Sequence, residues 1–259
     1  MATYEDILVD RDGAVVTFTI NRPESGNKLR HQTCLELLVA LQEFRVDPSC
    51  RVAVLTGVGE KFFCIGGEHD PVTSLDQSQV LPMVDVYQAI DTIAKPVVAA
   101  VNGFAVGGGN VLQTVCDLTI ASETAVFRQV GPTVGSFDAG YGSWYLEDTI
   151  GRKRAKEMWF LNRKYSADRA LEMGLVNEVV PAGELRARAA EVARDLSTRS
   201  PMAIGAMKGA FSSRHNGVSG QARMAHDQQL SLYLQTREAH EMSAAFAGRR
   251  EPIVDEFWK

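Results

Sequence analysis

The chain has 259 residues, 45% hydrophobic and 23% charged, enough to bury a sizeable core in one large domain or two small ones. A formal net charge of −5 excludes a global basic field for nucleic acid or anionic lipid. The longest apolar run, Pro96 to Val101, is far too short to cross a bilayer. No N-terminal stretch reads as a leader, so a soluble, cytoplasmic protein is expected.

In chain order, Ile7 to Val9 and Ala14 to Ile20 read as paired strands around a turn at Arg11-Asp12-Gly13. Asn21 to Asn27 is a loop by its Pro, Gly and Asn content. Leu37, Leu38, Leu41 and Phe44 recur at helical spacing, predicting a helix over 33–44. Val52 to Leu55 is a short buried strand. Glu68 to Gln79 has no period and reads as a long surface loop, a length that in compact domains is usually functional or disordered. Met83 to Ile93 is helical in pattern, Pro96 to Val101 is a strand, Asn110 to Cys116 a helix, and Leu118 to Ala121 and Ala125 to Phe127 are strands.

This alternation of buried strands and helices predicts an α/β core with parallel pairing. From about Gly151 the strands nearly vanish. Helices are predicted over 152–161, 166–173, 184–197, 201–211 and 223–247. The expected organisation is a core over 1–195 and a helical region over 196–259, with no internal sequence repeat. The four cysteines, Cys34, Cys50, Cys64 and Cys116, are widely spaced without a Cys-x-x-Cys and are expected to be structural thiols.

Two glycine-rich turns carry the chemistry. Phe62-Phe63-Cys64-Ile65-Gly66-Gly67 follows the strand ending at Leu55. Asn102-Gly103-Phe104-Ala105-Val106-Gly107-Gly108-Gly109-Asn110 follows the strand ending at Val101. Glycine lets a ligand approach the backbone closely, and the second turn opens a helix whose first N–H groups have no intrahelical partner. Amides from two such loops can converge on one developing oxyanion. The plainer reading is two tight turns. Gly57-Val58-Gly59-Glu60-Lys61-Phe62 lacks the last glycine of a dinucleotide fingerprint, and no phosphate-binding Gly-Lys-Ser/Thr loop is present.

The order of these two segments, their separation of about 40 residues, and Cys116-Asp117-Leu118-Thr119-Ile120-Ala121 resemble the crotonase (enoyl-CoA hydratase/isomerase) superfamily over nearly the whole chain. The resemblance implies an α/β fold with a spiral ββα core and a C-terminal helical trimerisation region, assembled as a homotrimer or a dimer of trimers. It implies an acyl-CoA substrate whose thioester carbonyl is held by two main-chain amides, by motif match those of Ile65 and Gly108, with Gly66, Gly67 and Gly107 beside them. No metal is expected, and no cofactor beyond the coenzyme A moiety of the substrate.

Hydratases of this superfamily carry two glutamates. At the corresponding positions this chain has Val111 and, in Arg128-Gln129-Val130-Gly131, Gly131. Without either carboxylate no base is present to activate water for addition to a double bond. Instead, Val134-Gly135-Ser136-Phe137-Asp138-Ala139-Gly140-Tyr141-Gly142 resembles a segment shared by the 2-ketocyclohexanecarboxyl-CoA hydrolases and the 1,4-dihydroxy-2-naphthoyl-CoA synthases. There the serine and aspartate are catalytic, which implies that role for Ser136 and Asp138; an Asx-type turn is the plainer reading.

Gly109-Asn110-Val111-Leu112 and Gln129-Val130-Gly131-Pro132 resemble the hydrolase versions. Glu68-His69, Arg128 and the end of the chain depart from them. Hydrolytic ring opening of a cyclic β-ketoacyl-CoA is therefore expected, with ring-closing synthase chemistry, or an RNA-binding or inactive paralogue, as the alternatives. For coenzyme A the resemblance implies Lys28 and Arg30, Gly131 and Tyr141 near the acyl group, and Tyr233, Phe246 and Arg249 from the C-terminal region. His31 and His69 are candidate acid–base groups for which a surface role is the plainer reading. The same applies to the basic cluster Arg152-Lys153-Arg154 with Lys156, the only local feature that favours nucleic acid.

Overall fold

The computed structural model describes residues 4–68, 81–134, 136–137, 140–224 and 229–257. β1 (Ile7–Asp12) and β2 (Val15–Ile20) form an antiparallel hairpin, with Gly13 at φ 58° in its turn. α1 (His31–Val46) follows. Three units of long strand, short strand and helix come next: β3 (Val52–Gly57), β4 (Phe62–Cys64) and α2 (Met83–Thr92); β5 (Val97–Val101), β6 (Phe104–Val106) and α3 (Gly108–Thr114); β7 (Leu118–Ser122), β8 (Val126–Arg128) and α4 (Tyr141–Ile150).

The long strands join one six-stranded sheet, the short ones a second, four-stranded sheet, so the chain winds as a coil. Within the coil every pairing is parallel, β3 with β5, β5 with β7, β4 with β6 and β6 with β8. The units repeat in structure with no repeat in sequence.

Alternation along β3 explains the layering. Ala53 and Leu55 face inward with Phe18, Phe63 and Phe127, while Val52 and Val54 face outward with Val98 and Ile120. That outer surface is covered by Leu185, Ala189 and Ala193 of α7 (Leu185–Ser197). α5 (Arg152–Leu161), β9 (Tyr165–Ser166), α6 (Ala167–Met173) and β10 (Glu178–Val180) come between. The described residues of the second half are strand-poor, as expected, but two short strands that the sequence did not mark complete the sheets: β10 extends the large sheet parallel to β7, and β9 closes the small one against β8. Strands of three and two residues carry no readable period.

α8 (Pro201–Met224) runs past the predicted end and breaks at Gly217 (φ 51°, ψ −137°). The single helix predicted over 223–247 is divided. α9 (Ser231–Tyr233) ends before Thr236, whose hydroxyl accepts the Ala239 N–H at 3.1 Å and caps α10 (Arg237–Gly248). Among the described residues no helix is long and apolar enough to cross a membrane. All four cysteines are buried free thiols.

A buried ion pair helps to tie α8 to the coil. The Lys208 ammonium, 7% exposed, donates to Asp117 Oδ2 at 2.6 Å and to the Lys95 carbonyl at 3.1 Å, and Asp117 also accepts the Val97 N–H at 2.7 Å. Burial pushes the Asp117 carboxyl up, and Lys208 draws it back. Lys208→Ala leaves that carboxylate without its counter-charge, and the expected loss is about 3 kcal/mol, read as a lower urea midpoint. An unchanged midpoint would show the pair to be dispensable.

Candidate active site

The short strands build the site. Because β4, β6 and β8 are parallel, with Cys64 opposite Ala105 after a one-residue register shift and Val106 opposite Arg128, the segments that leave them emerge side by side. Gly66-Gly67 follows β4, Gly107-Gly108 follows β6, and Gln129-Val130-Gly131 follows β8. This is the carboxyl end of a parallel sheet, where α/β proteins place their ligands. The contacts confirm the convergence. A Cβ built on Gly66, whose φ is +96°, would lie 3.2 Å from the Gly108 nitrogen and 3.2 Å from the Val106 carbonyl oxygen. Gly107 donates to the Arg128 carbonyl at 2.9 Å, and its Cα faces the Val130 side chain.

Of the two predicted amide donors, Gly108 stands at the first position of α3, after Gly107 at φ 55°, ψ −122°. The other requires a correction. The Ile65 N–H donates to the Gly26 carbonyl at 3.3 Å and already has a partner. The neighbouring Gly67 amide is the alternative candidate. Leu29 donates to the Gly66 carbonyl and accepts from the Glu68 N–H, at 2.9 and 2.8 Å, which makes an isolated parallel bridge to Gly67. In such a bridge Leu29 makes both bonds, so the N–H and C=O of Gly67 itself turn away from Leu29. Gly67 and Gly108 also share a neighbour: the Met83 Sδ lies 3.0 Å from the Cβ position of Gly67, and the Met83 Cε presses on that of Gly108. Both glycines thus border one space, beneath the first turn of α2. Sequence reasoning placed Gly67 beside the donors and not among them, because a Gly-Gly pair does not say which amide is spent on a neighbouring strand.

The third segment holds Ser136. The Gly131 carbonyl accepts the Val134 and Ser136 N–H groups at 3.0 and 2.9 Å, folding the loop onto a glycine that is itself buried. A Cβ on Gly131 would meet the Ser136 carbonyl at 3.1 Å. The half-buried Ser136 hydroxyl lies 3.5 Å from the Phe137 carbonyl. At its far end the loop reaches α2, where Gly140 faces Val84. Asp138 and His69 lie outside the described residues. Val111 is buried in α3, so the structure presents an apolar side chain and a glycine where the hydratases carry glutamates.

Behind the loop stands a row of rings. Tyr87 of α2, 5% exposed, donates its hydroxyl to the Gly108 carbonyl at 2.9 Å. Tyr141, opening α4, lies 6.1 Å from Tyr87 and stacks at 5.2 Å on Tyr145, which meets His215 of α8 at 4.8 Å. Burial, then the Asp91 and Asp85 carboxylates, push the Tyr141 phenol up to about 12. Burial and Asp91 push Tyr145 up further. Both stay protonated near neutrality.

The predicted coenzyme A contacts divide. Lys28 is half-buried, and its carbonyl is held by Arg22 at 2.7 Å. Arg30 is ion-paired within the chain. Its guanidinium makes two 2.7 Å bonds to the Asp6 carboxylate and one of 2.6 Å to Glu5, while its backbone opens α1. Burial opposes ionisation of Asp6, but hydrogen bonds from Arg30 and Thr33 and the charges of Arg30 and Arg22 hold its carboxyl below the usual range. Arg30 thus has structural partners in Asp6 and Glu5. Tyr233, Phe246 and Arg249 sit on or just after α9 and α10, exposed in the single chain, Phe246 at 89%. His31 is exposed at the start of α1. In the basic cluster, Arg152 faces Glu147 at 3.9 Å and Arg154 donates to the Met173 carbonyl at 3.3 Å.

Paired glycine loops at the ends of parallel strands, each offering a main-chain amide to one space, define a site suited to an anionic oxygen. The enoyl-CoA hydratase/isomerase family model matches residues 10–256, and the chain belongs to that family. Among solved structures, an enoyl-CoA hydratase from Bacillus anthracis is 31% identical, with a TM-score of 0.78 over 96% of this chain and 98% of that one. DspI of Pseudomonas aeruginosa is 26% identical, with a TM-score of 0.78 over 98% of each chain. A probable enoyl-CoA hydratase/isomerase from Mycobacterium abscessus is 29% identical, with a TM-score of 0.76 over 96% of this chain and 98% of that one. The fold is therefore that of proteins that process coenzyme A thioesters.

Proposed function

We propose that the protein opens the ring of a cyclic β-ketoacyl-CoA by hydrolysis, through an enolate of the thioester. The observation that carries this reading is the meeting of the Gly67 and Gly108 loops in a site that has Val111 and Gly131 at the positions of the hydratase glutamates. Enolate stabilisation is retained there, and the carboxylates that add water to a double bond are absent.

In the proposed reaction Asp138 takes a proton from a water that Ser136 helps to orient, and the hydroxide adds to the ring ketone. The bond between that carbon and the α-carbon breaks, its electron pair entering the thioester as an enolate. The Gly67 and Gly108 amides stabilise the enolate oxygen; each such donor is typically worth about 3 kcal/mol of barrier. A proton returned to the α-carbon completes the sum of substrate and one water, giving a ring-opened carboxylic acid that is still a coenzyme A thioester.

Lys28 is the proposed cation for the coenzyme A phosphates on this chain. Phe246 and Arg249 reach a bound coenzyme A only across a subunit boundary. The exposure of Phe211 and Phe246, 81% and 89%, supports assembly with further copies of the chain, as a trimer or a dimer of trimers.

The test is a mass-spectrometric assay with 2-ketocyclohexanecarboxyl-CoA, o-succinylbenzoyl-CoA and crotonyl-CoA in parallel. Gain of one water by the first alone is the expected result. Loss of water from the second would replace the reading with ring-closing synthase chemistry, and hydration of the third would return the protein to the hydratases.

A further inference from the structure

Tyr87 takes no part in the reaction proposed above, yet its hydroxyl donates to the Gly108 carbonyl, in the peptide that follows the Gly108 amide. Gly108 has no side chain to fix its peptide planes, and it follows Gly107 in a conformation that glycine alone tolerates. Its orientation is therefore set by its neighbours. The Arg128 carbonyl holds the Gly107 N–H at 2.9 Å, the Gly107 carbonyl accepts from Val111 at 3.1 Å, the Cys64 carbonyl packs on Gly109, and the Tyr87 hydroxyl donates to the Gly108 carbonyl at 2.9 Å. Of these four contacts, three are made by main chain, and the Tyr87 contact is made by a side chain that a single oxygen deletion removes. The Tyr87 oxygen also lies 3.0 Å from the Cβ position of Gly108. Its ring meets Tyr141 at 6.1 Å, one residue past the Ser136–Gly140 loop.

We propose that Tyr87 is a positioning residue that anchors the peptide following Gly108 and thereby fixes the backbone from which the Gly108 amide is aimed at the thioester oxygen. The assignment rests on the reading of Gly108 as an oxyanion donor. It does not depend on which reaction follows, so its test reads the amide without turnover.

The probe is 4-hydroxybenzoyl-CoA, an aryl thioester whose absorption moves to the red when its carbonyl is polarised. With the wild-type protein a red shift is expected on binding. In Tyr87→Phe the probe binds within about threefold of wild type, since the ring and its packing remain, but the red shift falls to about half or less. Turnover of the ring-opening substrate falls about tenfold at unchanged KM, the pattern of an interaction realised in the transition state. A variant with the wild-type shift overturns the assignment, whether its activity is intact or reduced, because a merely structural role would change stability and leave bound-state polarisation alone.

If the wild type itself gives no shift, the donor role of Gly108 fails, and the assignment falls with it. A wild-type shift that Tyr87→Phe diminishes, without ring opening of any substrate, upholds Tyr87 and rejects the hydrolase reading alone. Should Tyr87→Phe not fold, 3-fluorotyrosine at position 87 supplies a stronger donor of nearly the same shape. It is expected to enlarge the shift, and an unchanged shift overturns the proposal.

Discussion

Gly109→Ala is expected to cost stability on the order of 3 kcal/mol, at the high end for one added methyl group. A Cβ on Gly109 would overlap the Cys64 carbonyl oxygen and lie 2.6 Å from its carbon. Both groups are main chain, one following β6 and one ending β4, so neither can move without breaking the register that holds the site together. In a chain of this size the expected fall in melting temperature is about 6–12 °C. Catalysis should suffer beyond what unfolding explains, because the displaced strand end carries Gly66 and Gly67. Gly183→Ala is the control: nothing lies within 4 Å of its Cβ position. Equal melting temperatures for the two variants would mean that the close approach of β4 to α3 is not a constraint.

Asp138→Asn carries the largest expected effect on activity. The substitution keeps the size of the side chain and removes its capacity to take a proton, so turnover should fall by about a thousandfold. Binding of the acyl-CoA, which rests on the amides and on the coenzyme A contacts, should change by no more than about threefold. Ser136→Ala is expected to be milder, about tenfold, because a hydroxyl that orients a water contributes roughly one hydrogen bond. Full turnover in Asp138→Asn would remove the aspartate from the mechanism and with it the hydrolytic reading.

Where helices bury one face and strands are buried throughout, their positions were legible in the amino-acid sequence. α1, α2, α5, α7, β3, β5 and β7 fall within a few residues of the predicted ranges, because apolar spacing and strand length suffice to define them. The two glycine turns were equally legible, since backbone freedom after a strand has few other uses.

What escaped was local. β4 and β6 span three residues each, too few for a period, and α4 is hidden behind a glycine-flanked start. The choice between Ile65 and Gly67 turned on a single bridge to Leu29, a partner distant in sequence. Arg30 looked free for a phosphate because nothing near it in sequence discloses Asp6, a carboxylate that reaches it only when β1 docks on α1. Tyr87 had no local mark at all. Its significance comes from lying opposite a carbonyl supplied by the next turn of the coil.

That division between turns bears on how the protein matures. One amide leaves the first winding, its companion leaves the second, and the serine loop leaves the third. A nascent polypeptide that has completed two windings owns a pair of donors with no base beside them. On the proposed reaction, the base would join the two donors only once the third winding closes.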